Sequence, residues 1–390
     1  MGNKNTPLKN NFLLVEEYLS ELFEFRCNVI SNTLEMKKKD GEAFENCNDN
    51  QLYCLLKKDN YKISISDLRS MLASDFVAEY NPLIEFFEKN AGLYPYNELM
   101  AENDSEIDKL CSYVLAENQE RFNIQFKKAI VRSLATSINK KGVNKHAFIL
   151  VSPKQNIGKT TFIRFLMPEA LIHYYTENIG TDKDSLISLC ENFLINLDEL
   201  SVLSRNELNK LKSLFSKEDD KSRRPFDSRP IRRKRIASFW GSTNDGEFLN
   251  DPTGSVRWLC FNIHNINFDY ATNVNINRVW AEAFWLLKNG FSFQLTKEEV
   301  ISNETANKEF QINSTELELI IKHFTPGTRE NHNEFFTSTD ILNYLNKGYE
   351  SVYRLNTNNI GKAMIQLGFT KDQKKEASYP VKGYYLNIIE

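Results

Sequence analysis

His146-Ala-Phe-Ile-Leu-Val-Ser-Pro-Lys-Gln-Asn-Ile-Gly-Lys-Thr-Thr161 falls into two halves of different character. The first, His146 to Ser152, is an unbroken apolar run with polar ends, the pattern of a strand buried on both faces. The second, Gln155 to Thr161, opens a helix expected to end near Met167 and Pro168. A loop between such a strand and such a helix suits a phosphate, because backbone N–H groups point at the anion and the helix dipole favours negative charge. Lys159 is placed to reach the β- and γ-phosphates of ATP, and Thr160 to put its hydroxyl on Mg²⁺. Gln155, Asn156, Gly158 and Thr161 complete the expected nucleotide contacts. The full pattern G-x-x-x-x-G-K-[ST] carries Pro153 in place of its first glycine. The phosphate donors lie nearer Gly158 to Thr161, and Asn156 tolerates a left-handed backbone better than most residues.

Downstream, Phe193-Leu-Ile-Asn-Leu-Asp198-Glu199 reads as a second buried strand with two carboxylates at its carboxyl end. Ligands of α/β sheets bind at that end. Asp198 is expected to hold Mg²⁺ through water, and Glu199 to orient and deprotonate an attacking water. Taken alone, this is an ordinary strand running into an acidic turn. At this interval after a phosphate loop, the catalytic reading is the better one. Ile236 to Thr243 is a third strand, and Asn244 at its end is expected to sense the γ-phosphate or the water. The bland alternative is a strand-to-turn asparagine. Arg257, in Asp251-Pro-Thr-Gly-Ser-Val-Arg257-Trp258, has the place of an arginine finger for a neighbouring subunit's nucleotide, or else of an ion-pair partner for Asp251. Short apolar strands alternating with helices from His146 to about Asn289 argue an α/β sheet covered on both faces.

Lys217 to Arg235 holds nine basic and four acidic residues. A charge run is usually a solvated face. The excess of Arg over Lys, the aromatic Phe226 and the position before the third strand favour phosphate contacts instead. Arg223, Arg224, Arg229, Arg232, Arg233 and Lys234 are the candidate DNA contacts, with Arg229 and Pro230 in a turn between two extended arms. In the C-terminal part, helices are expected over Glu316 to Phe324, Thr337 to Leu345 and Asn358 to Leu367, followed by two strands within Phe369 to Ile389. Three helices and a hairpin form the winged-helix pattern. Asn359 and Lys362, on the polar face of the third helix, are expected to be exposed towards DNA.

The chain of 390 residues has room for two or three domains. Four regions separate: 1–76, a small α+β part with a strand from Arg26 to Glu35 and a helix begun by Ser66 and Asp67; 77–145, a helical collar opened by Asn81 and Pro82; 146–300, the ATPase core; and 314–390, the winged helix. A net charge of −3 excludes a polycation, so any nucleic-acid site must be local. Six scattered cysteines without a C-x-x-C pair argue against zinc and for free thiols in a reducing cytoplasm. No membrane partner is expected, because no apolar run approaches a span, although Met1 to Thr6 fits the loose N-myristoylation pattern.

Taken together, Gln155-Asn-Ile-Gly-Lys-Thr-Thr-Phe162, Asn196-Leu-Asp-Glu-Leu200, Arg223-Arg-Pro-Phe226, Gly241-Ser-Thr-Asn244-Asp-Gly-Glu-Phe-Leu249 and Asp251 to Trp258 resemble the virulence-associated protein E family. That family is similar to superfamily 3 helicases and to the helicase portions of phage and plasmid primase-helicases. The resemblance spans about Asn81 to Asn289, and Pro153 and Asn156 stand where the family has glycines. It implies an AAA+ P-loop core, assembly into a homo-oligomeric ring, and service in replication of phages, pathogenicity islands or conjugative elements. The expectation is therefore an ATP- and Mg²⁺-dependent DNA helicase or translocase. Its partners would be single-stranded or forked DNA, further copies of itself in a hexamer, and a primase or replication initiator. An ATP-dependent initiator or regulator that does not unwind is the alternative. A defence or signalling ATPase would usually add an effector or repeat domain, and neither is visible. The N-terminal part is too short for a complete primase domain and shows no clear carboxylate pair for one.

Overall fold

A computed structural model of the chain describes residues 10–94, 105–138, 142–177, 179–180, 183–200, 205–222, 231–249, 255–312, 314–349, 354–376 and 379–389. Near the N-terminus, Phe23–Asn28 (β1), Thr33–Lys38 (β2), Glu45–Asn46 (β3) and Ala78–Tyr80 (β4) form a sheet in the order β3-β2-β1-β4. The single strand expected from Arg26 to Glu35 is thus a hairpin, because Asn32 takes a left-handed φ of 57° and turns the chain back. The helix expected to begin at Ser66 and Asp67 is Ile65–Leu72, capped by Ser64, whose side chain accepts from the Asp67 N–H. Val15, Leu19, Leu56 and Leu68 make a separate small core here.

Val114–Ala116 (β5), Ala147–Val151 (β6), Tyr175–Glu177 (β7), Leu194–Leu197 (β8), Ser238–Thr243 (β11) and Trp258–Ile266 (β12) build the central sheet. Between β8 and β11, Asp219–Ser222 (β9) and Ile231–Lys234 (β10) pair as a separate antiparallel hairpin. The sheet order is β5-β12-β6-β11-β8-β7, with only β5 antiparallel to its neighbour. β6, β8 and β11 are buried along their whole lengths, as unbroken apolar runs in a parallel sheet require. Gly241 is needed where β11 crosses its neighbours, since a Cβ there would stand 2.7 Å from the Leu197 carbonyl oxygen.

Helices cover both faces. On one, the helices Gln119–Ser137 and Ile276–Lys288 bring Phe126 and Trp280 into one cluster with Phe148, Trp240 and Phe261 of the sheet. On the other, the helix Arg205–Phe215 packs Leu208, Leu211 and Phe215 against Ile149, Phe239 and Trp258. The helical collar expected over 77–145 also contributes the edge strand β5. The helix Pro82–Asn90 opens as its residues dictate, with the Asn81 side chain accepting from Leu83 and Ile84 and proline in the first turn.

In the C-terminal part, the helices Thr315–His323, Ser338–Tyr349 and Thr357–Gln366 enclose a core of Ile320, Ile341, Ile360, Met364 and Tyr384. Phe324–Pro326 (β13) and Glu334–Phe336 (β14) flank Tyr379–Ile388 (β16), and Lys371–Glu376 (β15) pairs with β16 as a hairpin. β13 and β14, each of three residues, are too short for a period-two signal. All six cysteines are free thiols. Among the described residues no helix is long and apolar enough to cross a membrane.

Candidate functional site

β6 ends at Val151, and the chain loops through 152–158 into the helix Lys159–Phe165. The loop needs two left-handed residues, Asn156 at φ 60° and Gly158 at φ 89°. These are the residue types that adopt this conformation most cheaply. The loop borders a cavity of about 370 Å³ lined by 155–161, Asp198, Glu199 and 242–244. Because β6, β8 and β11 are parallel and adjacent, their carboxyl ends deliver all of these groups to one edge of the sheet.

The polar side chains are bonded to one another. The buried Lys159 Nζ donates to Asn244 Oδ1 at 2.8 Å and to the carbonyls of Ser152 at 3.2 Å and Lys154 at 3.1 Å. Burial pushes its ammonium below the usual lysine range, opposed by the charge of Asp198. Thr160 Oγ1 donates to Asp198 Oδ1 at 3.0 Å, and Ser242 Oγ donates to the same oxygen at 2.5 Å. Glu199 is exposed and held at φ 51°. That conformation costs a non-glycine residue on the order of 1 kcal/mol or more and concentrates at functional sites.

Of the expected nucleotide and catalytic residues, the structure gathers Gln155, Asn156, Gly158, Lys159, Thr160, Thr161, Asp198, Glu199 and Asn244 around this cavity. Ser242 belongs with them and was not anticipated. It lies on β11 one residue before the strand ends, two residues ahead of Asn244, and its hydroxyl meets Asp198. Arg257 stands elsewhere. It immediately precedes Trp258, which pairs with Ala147, the first residue of β6, so it lies at the sheet's amino end. Five residues of strand separate it from the 152–158 loop, about 16 Å at 3.3 Å per residue. Its Nε donates to Ser216 Oγ at 3.1 Å. Asp251, its alternative partner, lies outside the described residues together with the rest of 250–254.

The basic stretch divides. Arg223, Arg224, Arg229 and Phe226 lie outside the described residues. Arg232, Arg233 and Lys234 are on β10, with Arg232 and Lys234 exposed and Arg233 half-buried. Arg232 is ion-paired with Asp219 across the hairpin. Arg235, the end of the stretch, is fully buried and offers nothing to a partner. In the C-terminal part Lys362 is exposed as expected, whereas Asn359 is half-buried and donates to Glu316 Oε1 at 3.2 Å. Met1 to Thr6, the myristoylation-like start, also lies outside the described residues.

A parallel sheet of mixed α/β architecture, with a polar cavity at its carboxyl edge, is the frame these observations define. The model of the virulence-associated protein E-like domain matches residues 97–312, more than half of the chain, and the chain belongs to that family. The match takes in the cavity, the β9–β10 hairpin and Arg257, and stops before the C-terminal helices. Among solved structures, the apo structure of the NrS-1 C terminal region is similar with a TM-score of 0.53 and 12% identity, over 97% of this chain and 100% of that one. An A form apo structure of the same region gives 0.50 and 12%, with the same coverage. At this identity the likeness is one of fold. No curated protein matches the chain.

Proposed function

We propose that the chain is an ATP-hydrolysing DNA motor, a helicase or translocase serving replication of a mobile genetic element. The observation that carries this reading is the convergence of Lys159, Thr160, Asp198, Ser242 and Asn244 on one cavity, with Glu199 held in a left-handed backbone at its rim. In this reading 146–300 is a P-loop ATPase core of the AAA+ kind, 1–76 and 77–145 are an N-terminal part and a helical collar, and 314–390 is a winged helix.

The donor set suits a nucleoside triphosphate with Mg²⁺. Thr160 Oγ1 and Asp198 Oδ1 are oxygens 3.0 Å apart, the hard donors that Mg²⁺ takes. Among the described residues no group of three or more His, Cys, Asp or Glu could hold a metal ion. A divalent cation would therefore bind together with phosphate oxygens, as Mg²⁺ in such sites does. When bound, it neutralises charge on the β- and γ-phosphates. Lys159 exchanges its Asn244 and carbonyl partners for phosphate oxygens, and its depressed ammonium gains from the new negative charge. Glu199 orients the water and takes its proton as the water oxygen bonds to the γ-phosphorus and the bond to the β-phosphate oxygen breaks, leaving ADP and phosphate. Asn244, released from Lys159, senses the γ-phosphate.

Arg257 has no phosphate to meet within its own subunit, so it serves a neighbour's cavity. Identical head-to-tail contacts of that kind close into a ring, here a hexamer. The β9–β10 hairpin lines its channel with Arg232, Arg233 and Lys234 and binds single-stranded or forked DNA through its phosphates, and Arg223, Arg224 and Arg229 are proposed as further phosphate contacts from the same basic stretch. Lys362 adds a contact from the winged helix, and a primase or initiator loads the ring in the cytoplasm.

The test is ATP turnover with and without single-stranded DNA, run beside strand displacement on forked DNA. Lys159→Ala is expected to abolish turnover by losing phosphate contact. Glu199→Gln should bind ATP and lower kcat by about 10²–10⁴-fold, the usual contribution of a positioned base. Wild-type turnover in either variant would refute the site. DNA-stimulated turnover without strand displacement would identify an initiator that does not unwind.

A further inference from the structure

β12 runs beside β6, and where it leaves the sheet the chain turns through Asn267, whose Oδ1 accepts from the Asp269 N–H at 2.9 Å. Phe268 sits at this turn with half of its surface in solvent. Its ring lies against the phosphate loop. A Cβ built on Gly158 would stand 2.5 Å from Phe268 Cζ and 2.7 Å from Cε1, so only glycine leaves room for the ring there. The ring is braced from behind. Phe268 stacks on Tyr270 at a centroid distance of 6.3 Å and 27°. The buried Tyr270 in turn meets Phe162 at 5.2 Å and Phe165 at 4.8 Å, both from the helix that begins at Lys159.

Sheet order sets a direction across the site. Asp198, Glu199, Ser242 and Asn244 reach the cavity from β8 and β11 on one side of β6, and Phe268, from beyond β12 on the other, meets the loop at Gly158, which borders the cavity. A nucleotide whose terminal phosphate faces the carboxylates extends its remaining length towards β12. A ring needed only to support the loop would be buried like Tyr270 and Phe162. Phe268 keeps half of its surface exposed, on the side of the loop away from the carboxylates.

We propose that Phe268 is the platform on which the nucleobase of the bound nucleotide stacks, an inference that rests on the nucleotide reading above. A bare aromatic face recognises π surface, without a hydrogen-bond pattern. Purine triphosphates therefore bind alike through it, and pyrimidine triphosphates bind more weakly.

Titration calorimetry on the full chain with Mg²⁺, using ATP, GTP and inorganic tripolyphosphate, tests this. Phe268→Ala should weaken ATP and GTP about ten-fold, within the range that base–aromatic stacking supplies, and leave tripolyphosphate within two-fold. Phe268→Trp should keep ATP affinity and show a fluorescence change, beyond that of the wild type, with ATP and not with tripolyphosphate. Equal weakening of ATP and tripolyphosphate in Phe268→Ala would make the ring a prop for the loop and overturn the proposal. Unchanged binding of all three would overturn it as well. If the wild type bound neither ATP nor tripolyphosphate, the nucleotide reading itself would fall, a result separable from both.

Discussion

The two ends of the central sheet are both rich in polar side chains, and they use them in opposite ways. At the carboxyl end Lys159, Thr160, Asp198, Ser242 and Asn244 bond mainly to one another, in an open cavity. Such contacts exchange readily for a ligand's oxygens. At the amino end Arg235 donates to five main-chain carbonyls, those of Ala237, Leu214, Phe215, Lys217 and Asn144, at 2.8–3.4 Å. Those carbonyls cannot leave without unfolding the segments they belong to. Burial pulls the Arg235 guanidinium below the usual arginine range, and the five acceptors hold it in place without a carboxylate. The partner of a polar group therefore separates a site from a scaffold better than its charge does.

Arg257 is the residue on which this contrast is sharpest, since it sits at the scaffold end and is proposed to act at a site. Its bond to a single serine hydroxyl is weak enough to be exchanged. Arg257→Ala is expected to lower ATP turnover by about 10³-fold, the lower range for an arginine finger, while nucleotide still binds. Mixing it with Glu199→Gln should restore part of the turnover if the two residues meet across an interface. Full turnover in a monomeric Arg257→Ala protein would reduce Arg257 to scaffold and break the ring model.

Arg235→Ala tests the other side of the comparison. Removing a buried guanidinium and stranding its carbonyls should cost about 3–5 kcal/mol, read from urea unfolding. Arg235→Lys should recover little of it, because an ammonium cannot span five acceptors set around a planar fork. A loss below about 1 kcal/mol would mean that the clamp is not structural.

Legibility follows the same line. The strands β6, β8 and β11 and the groups at their carboxyl ends could be read because each motif is local: an apolar run, then its polar end. The burial of Arg235, at the end of the basic stretch, has no local signal, since it is decided by Asn144 and by 214–217, far away in sequence. Asn359 was misplaced for the same reason, its partner Glu316 lying on another helix. The turn at Asn32 was hidden because apolar residues continue on both sides of it. Phe268 carries no motif at all; only the packing of β12 beside β6 brings it to Gly158.

A smaller effect is expected in the hairpin, where the exposed neighbours of Arg235 lie. Alanine at both Arg232 and Lys234 should weaken single-stranded DNA binding, and flatten log K against log salt by about 1.4 if both touch phosphates. If Asp219 keeps Arg232 occupied in the complex, the change falls to about 0.7, the contribution of Lys234 alone. An unchanged slope would remove β10 from the DNA path.

The last effect is the smallest at physiological pH and concerns His146, the residue just before β6. Burial, and then the positive charges of Arg132 and Arg257, pull its imidazole down to about 3. The folded protein therefore keeps His146 neutral where the unfolded chain, with an ordinary value of 6.5, binds a proton. The sign follows. Stability from this group is complete above about pH 6.5 and is lost as the pH falls towards 3, at no more than about 1.4 kcal/mol per pH unit. Near pH 5.5 the loss is about 1 kcal/mol, measurable as a shift in urea midpoint between pH 7 and 5.5. His146→Gln should flatten that shift whatever it does to stability at pH 7. Arg257→Ala removes one of the two repelling charges and should flatten it in part. An equal acid slope in wild type and His146→Gln would show that the imidazole is free to protonate, and that this end of the sheet is more open than its buried arginines imply.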